Sequence, residues 1–364
     1  NRRRSIVSNG VNSATGRLSV HQPKTYWFVA CLSSELKKQP KSIRLWGQSV
    51  VLFRDATGKP KALLDRCAHR NVPLSKGQCV GGQIQCPYHG WEFDGNGECT
   101  KIPALEGEAT HRNRVVPSFQ TREQQGHVWI FGEPNSVPNH DPFVFPHYED
   151  SAYSQIQFQA DFQGTLHANL ENILDVPHTA FLHKGLFRGI ERNLIDTEVR
   201  RFSDRAECQY FGEPRPEGFL GRILAPNGGE IEHFDRFIVP SVAQVEYRLE
   251  DRNIVVSNCL TPISDTEVRM FTVVAVKVRV WTWLLKPFVL PFALRVVRQD
   301  QKMLETQLKS IQDFGGESFT YTEVDVLGSS ISRLLKRASQ QPIVVSDIPP
   351  TSEPDAVLKG KLWA

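Results

Sequence analysis

No stretch of this 364-residue sequence approaches the roughly 20 consecutive apolar residues that a bilayer span requires, and the chain reads as soluble and globular. Strong net charge is missing too. The 43 basic and 40 acidic residues leave +3, too slight an excess to call for nucleic acid as a partner. No secretory signal is visible, and the seven cysteines (Cys31, Cys67, Cys79, Cys86, Cys99, Cys208, Cys259) are odd in number and scattered, which speaks for a reducing compartment over a disulfide framework. Acidic residues are absent before Glu35, while the chain opens NRRRSIVSNG. Residues 1–23 are read as a flexible basic arm of a cytoplasmic protein; the alternative is the remnant of a targeting segment, which would place the protein in an organelle stroma. Neither G-x-G-x-x-G nor a plant-type ferredoxin cysteine array occurs.

The length suits two domains. Between residues 24 and 135 short β-type runs such as SIRLW, SVVLF, KALLD and GHVWIF alternate with turn residues, the texture of a small all-β domain. A Pro- and Asn-rich linker, EPNSVPNHDPF, leads into a second domain over residues 136–338. There a helical stretch near Thr165–Leu174, alternating strands such as QVEYRLE and VRMFTVVAV, and a late helix from about Phe292 to Phe314 suggest an α+β domain built on an antiparallel sheet. The tail, residues 339–364, reads as irregular. The apolar segment VWTWLLKPFVLPFAL, residues 280–294, is expected to wall or cover a pocket; contact with a membrane surface is the alternative.

Chemistry concentrates in CAHRNVPLSKGQCVGGQIQCPYHGW. Cys67-x-His69 and Cys86-x-x-His89, with 16 residues between them, offer four metal donors. A structural zinc site would usually pair cysteines and then pair histidines. Here each loop gives one of each, which suits a two-iron cluster with cysteines on one iron and histidines on the other. Gly82 and Gly90 leave room for amides to approach bridging sulfides, and Pro73 and Pro87 stiffen the loops.

CAHR and CPYHGW resemble, in order, spacing and closing Gly-Trp, the cluster-binding pattern of the Rieske non-haem iron oxygenases. The resemblance implies a Rieske [2Fe–2S] cluster held by Cys67, His69, Cys86 and His89. Cys79 matches no ligand position. Respiratory Rieske proteins carry a bracing disulfide between the loops; Val72 and Tyr88 stand at those positions here, as in the oxygenases. A potential toward the low end of about −150 to +300 mV is then expected.

A second constellation lies in ENILDVPHTAFLH, residues 171–183. Asp175 and His178 are three apart and share a helical face, so the carboxylate can accept a hydrogen bond from the imidazole. His178 and His183 are five apart, and a helix must end or bulge between them if both are to face one metal; otherwise they are two unrelated histidines near a helix end. In RVVRQDQKMLETQLKSI the residues Val296, Val297, Met303, Leu304, Leu308 and Ile311 form an apolar stripe. Asp300 sits within it, and Glu305 points away. A lone buried carboxylate is costly unless paired or metal-bound, which makes Asp300 the choice for a third ligand, with Asp313, farther along, as the fallback.

The resemblance matches N-x-x-D-x-x-H-x-x-x-x-H to the mononuclear iron motif. It implies Fe(II) on His178, His183 and Asp300, an inter-subunit bridge through Asp175 to His89 of a neighbour in a head-to-tail homotrimer, and Asn172 near the iron. The implied fold of the second domain is helix-grip, START-like. The implied activity is insertion of oxygen from O2 into a small hydrophobic cyclic or aromatic substrate, by hydroxylation or oxidative demethylation. Electrons would come from NAD(P)H through a separate reductase or ferredoxin, with Arg66, Arg70 and Lys76 as a docking face. Arylamine N-oxygenation and aromatic cis-dihydroxylation are alternatives within this class; an electron-transfer or redox-sensing protein is the alternative outside it.

Overall fold

The computed structural model describes residues 18–184, 194–212, 231–249, 252–277, 282–345 and 353–363. In the first part, β1 (Trp27–Leu32), β2 (Lys41–Leu45), β3 (Gln48–Arg54), β4 (Pro60–Leu64), β5 (Gln78–Val80), β6 (Gln83–Gln85), β7 (Glu92–Phe93), β8 (Cys99–Lys101), β9 (Ser118–Phe119), β10 (Thr121–Gln124) and β11 (His127–Phe131) form three small sheets. Their orders are β1-β11-β10, β2-β3-β4-β9 and β5-β6-β7-β8. The third sheet carries the metal-donor loops, one entering it before β5 and the other between β6 and β7. Gly81 and Gly82, both at positive φ, turn the β5–β6 hairpin. A side chain on Gly82 would strike the backbone of Ala56, so strand packing alone requires a glycine here.

Strand β3 shows why the two halves hold together. Its side chains alternate between faces, so Val51 and Phe53 pack with Cys67, Leu74, Ile84 and Cys86 beneath the loops. Val50 and Leu52 join a larger core that continues into the second part through Phe162, Leu166 and Phe237. Main-chain bonds reinforce this seam: Trp46 N–H donates to the Pro262 carbonyl at 2.9 Å and Gly47 N–H to that of Ile263 at 2.8 Å. The buried Thr261 hydroxyl donates to the Val29 carbonyl at 2.7 Å.

The second part is one antiparallel sheet of β12 (Ser154–Gln163), β13 (Leu194–Arg201), β14 (Arg205–Phe211), β15 (Glu232–Ile238), β16 (Val242–Leu249), β17 (Arg252–Ser264), β18 (Glu267–Lys277) and β19 (Ala356–Trp363). The order is β12-β18-β17-β16-β15-β14-β13-β19. Helices Leu166–Ile173, Thr282–Asp313 and Gly328–Gln340 accompany it. The first starts at Thr165, whose hydroxyl accepts from Ala168 N–H at 3.1 Å. The fold is thus α+β, a small all-β part beside a larger sheet with helices.

Two expectations need correction. The tail is not irregular throughout: Ala356–Trp363 pairs along all of β13, and Lys359 and Lys361 on this outer edge discourage further strand addition. The long helix begins at Thr282, ten residues earlier than expected, and carries Pro287 and Pro291 inside it. Its buried stripe is also narrower, since Val297, Leu304 and Leu308 are buried while Met303 is 49% exposed. Residues 280 and 281 lie outside the described residues, as do most side chains of 282–289, and with them most of the proposed pocket wall. Of the basic arm, residues 1–17 also lie outside; from there the chain is tied down, with Ser19 N–H donating to Glu317 at 2.7 Å and the Gln22 amide to Asp265 at 2.7 Å. No helix among the described residues is long and apolar enough to cross a membrane.

Gly97 closes the turn that leads into β8. Its φ is +85°, and a Cβ there would lie 1.9 Å from the Val116 carbonyl oxygen. Gly97→Ala is expected to destabilise the chain by more than the roughly 1–3 kcal/mol of a strained backbone alone, read as a lower unfolding midpoint in urea.

Candidate functional site

The two cysteine–histidine loops share one main-chain frame. In the first, Cys67 N–H donates to the Val72 carbonyl at 2.9 Å and Asn71 N–H to that of Cys67 at 3.0 Å; in the second, Cys86 N–H donates to the Trp91 carbonyl at 2.8 Å and Gly90 N–H to that of Cys86 at 3.1 Å. Asn71 (φ 63°) and Gly90 (φ 71°) are both left-handed, each four residues after its cysteine. Repetition of this frame sets the cysteines deep, at 1% and 3% exposure, and the histidines toward the tip.

The rings of His69 and His89 lie 4.5 Å apart, and Trp91 stacks on His69 at 4.7 Å with the planes 4° from parallel. His89 is exposed, with the exposed Tyr88 ring against it. Burial pushes the Cys67 thiol up to about 11; its neighbour Cys86 adds to this, while the amides of His69 and Arg70 pull the other way. All seven cysteines are free, and Cys79 sits on β5 opposite Ile84, away from the loop tips.

These donors fit a group larger than one ion. His69 Nδ1 is buried with no hydrogen-bond partner, the mark of an atom whose intended partner is not protein. Among the described residues, the one set of three or more His, Cys, Asp or Glu donors within 4.8 Å of one another lies elsewhere. No three of the four loop donors converge as a tetrahedral zinc would require, whereas a two-iron cluster spans such a spread.

The compact set is His178, His183 and Asp300. The Leu166–Ile173 helix ends before Asp175, and a short helix, Thr179–Leu182, follows His178. That break turns His178 and His183 toward each other, with their Nε2 atoms 3.2 Å apart. Asp300 reaches in from the long helix, its Oδ1 lying 3.1 Å from His183 Nε2 and 3.7 Å from His178 Nε2. Asp300 Oδ1 is buried, and where both Nε2 atoms are unprotonated three lone-pair donors meet, an arrangement a cation would relieve.

Burial lowers the pKa of His183, but the hydrogen bonds and charge of Asp300 and Gln299 outweigh it and hold the pKa above the ordinary value. Asp175 Oδ2 lies 3.4 Å from His178 Nδ1 without the alignment of a hydrogen bond, and the Asp175 side chain is 36% exposed. Asn172 lies between this site and a surface recess that Asp175 and Met303 also line.

Behind the three donors lies a cavity of about 250 Å³. The sheet contributes Phe158, Val245, Val256, Leu260 and Met270, the helices Ile173, Val296 and Leu304, and the break before His178 contributes Val176.

Two family models divide the chain. A Rieske [2Fe-2S] domain matches residues 26–120, and the Vanillate O-demethylase oxygenase C-terminal domain matches residues 163–340. The chain thus joins a Rieske [2Fe-2S] domain to an oxygenase C-terminal domain. Among its relatives, aminopyrrolnitrin oxygenase of Pseudomonas fluorescens is 28% identical over 74% of this chain and 78% of its own length. The oxygenase component of dicamba O-demethylase from Stenotrophomonas maltophilia is 34% identical over 48% of this chain and 53% of its own. Several other curated relatives are matched over only a quarter to two fifths of their length. Dicamba monooxygenase bound to 3,6-dichlorosalicylic acid shares the fold, with a TM-score of 0.75 at 22% identity over 88% of this chain and 98% of that one.

One participant escaped the sequence reading. Gln299 Oε1 lies 2.9 Å from His183 Nδ1, so an Nδ1–H donated to this amide leaves the Nε2 lone pair facing His178 and Asp300. Its partner lies 116 positions away in sequence, and only its place beside Asp300 could have drawn attention. Gln299→Leu is expected to weaken Fe(II) binding to the apoprotein by roughly 10- to 100-fold, with Gln299→Glu close to wild type, in a competition titration against a chelator.

Proposed function

We propose that this Rieske oxygenase inserts oxygen from O2 into a small hydrophobic cyclic or aromatic substrate, by hydroxylation or oxidative demethylation, with NAD(P)H electrons supplied by a separate reductase or ferredoxin. The observation that carries this reading is the convergence of His178, His183 and Asp300 on an apolar cavity, in a chain that also holds the paired Cys–His loops. Cys67, His69, Cys86 and His89 would hold a [2Fe–2S] cluster; His178, His183 and Asp300 would hold one Fe(II). Bound there, the cluster supplies one-electron transfer and the iron supplies coordination positions open to O2.

The chain's own residues do the rest. One oxygen atom enters the substrate and the other leaves as water, which takes two electrons and two protons per turnover. The apolar walls exclude bulk water and hold the ring against the three donors, and Gln299 fixes the tautomer of His183. The exposed His89 and the partly exposed Asp175 support a bridge between neighbouring subunits of a homotrimer, and the domain division near residue 135 belongs to the same reading. Arg66, Arg70 and Lys76 are all exposed around the first loop, as a docking face requires, although Arg66 also donates to Asn71 at 2.7 Å.

Relatives named as O-demethylase and N-alkylformylase components favour demethylation. The aminopyrrolnitrin relative keeps N-oxygenation as the second reading. A pure electron carrier would have no use for the third metal position or the cavity. The cytoplasm is the proposed location; chloroplastic relatives make a stroma the alternative.

Metal analysis separates the classes. Three irons per chain are expected, falling to two in His178→Ala with the cluster absorption retained; two irons in the unaltered chain would sink the oxygenase reading. Asp175→Ala is expected to keep all three irons and slow single-turnover product formation from a pre-reduced cluster roughly 10- to 100-fold. An unchanged rate would remove Asp175 from the electron path.

A further inference from the structure

The cavity wall contains one polar arrangement that the oxygen chemistry does not use. Asn258 on β17 and Thr272 on β18 are direct cross-strand partners whose side chains face the cavity. They are 5% and 2% exposed. The Thr272 hydroxyl donates to Asn258 Oδ1 at 2.8 Å. Among the described residues this leaves the two amide protons on Asn258 Nδ2 without a protein acceptor, on a wall to which Val256, Leu260, Met270 and Phe158 also contribute.

Other polar groups here are committed. Asn169 donates both amide protons to the Gln163 and Thr165 carbonyls at 3.3 and 3.0 Å, fixing the entry of its helix. His233 lies 3.0 Å from the buried Asp235. A pinned amide among apolar side chains has the form of a site that orients a ligand by one hydrogen bond while burial supplies the affinity.

We propose that Asn258 is a specificity-determining residue that anchors a neutral ring substrate through an oxygen acceptor, such as an aryl ether or ketone. Neutrality follows from the lining. Among the described residues no Lys or Arg reaches the cavity, so a carboxylate anchored at Asn258 would be buried with no cationic side chain beside it. The inference rests on the oxygenase reading only for the word substrate; the recognition is a property of the cavity.

The test is anaerobic calorimetric titration of the iron-loaded full chain with anisole, ethylbenzene and 4-methoxybenzoate. The first two differ in one oxygen replaced by methylene. The expected result is that Asn258→Leu lowers the preference for anisole over ethylbenzene about tenfold, and that Thr272→Val, which frees the amide without changing shape, lowers it in the same direction. Should Asn258→Leu fail to fold, Thr272→Val reads the same ratio. An unchanged ratio, or equal loss of both ligands, overturns the anchor. Binding of 4-methoxybenzoate as tightly as anisole overturns the neutral class. Loss of turnover by a reconstituted reductase system, with the ligand preference intact, would strike the oxygenase reading and leave the anchor standing.

Discussion

Asp300 is the point on which the second half of the molecule turns. It is a carboxylate on the buried stripe of the Thr282–Asp313 helix, flanked in helical phase by Val297 and Leu304. An isolated charge there would cost several kcal/mol. A cation shared with His178 and His183 would remove that cost, and the meeting of the three side chains ties the long helix to the broken segment between Leu174 and Leu182. The cavity is what remains between those two elements and the sheet. Moving the carboxylate one helical position would turn it about 100° away and leave both imidazoles facing apolar side chains.

What was legible in the sequence was local. The two Cys–His loops are each a few residues long, and their chemistry is written in spacing alone. Helical phase picked Asp300 over Glu305, because an apolar stripe interrupted by one carboxylate needs no tertiary information. The illegible parts are those whose partners are remote. β19 could not be read from AVLKGKLW, since its reason for being a strand is β13, far earlier in the chain. Gln299 looked like one more polar residue on a polar helix face. Met303 satisfied the apolar period and is exposed nonetheless, because the stripe is only as wide as the groove that receives it. Gly82 was credited to metal access, and the backbone of Ala56 forbids it a side chain in any case.

The cavity shows the same division between general and particular. Apolar walls are what any buried site on a sheet would have. Asn258 and Thr272 are informative because they face each other across adjacent strands and leave a hydrogen-bond donor unspent at the cavity wall. The register of β17 against β18 puts them there, and a slip of one residue would send both side chains to the other face of the sheet.

Strand β3 has a consequence of another kind. Seven residues, Gln48–Arg54, place alternate side chains in the core under the cluster loops and in the core that runs on to the iron-binding helices. Neither core can loosen without withdrawing support from the other. The two halves are therefore expected to unfold together, and a substitution beneath Cys67 or Cys86 to be felt at the cavity as a change in stiffness, with no relay of moving parts between them.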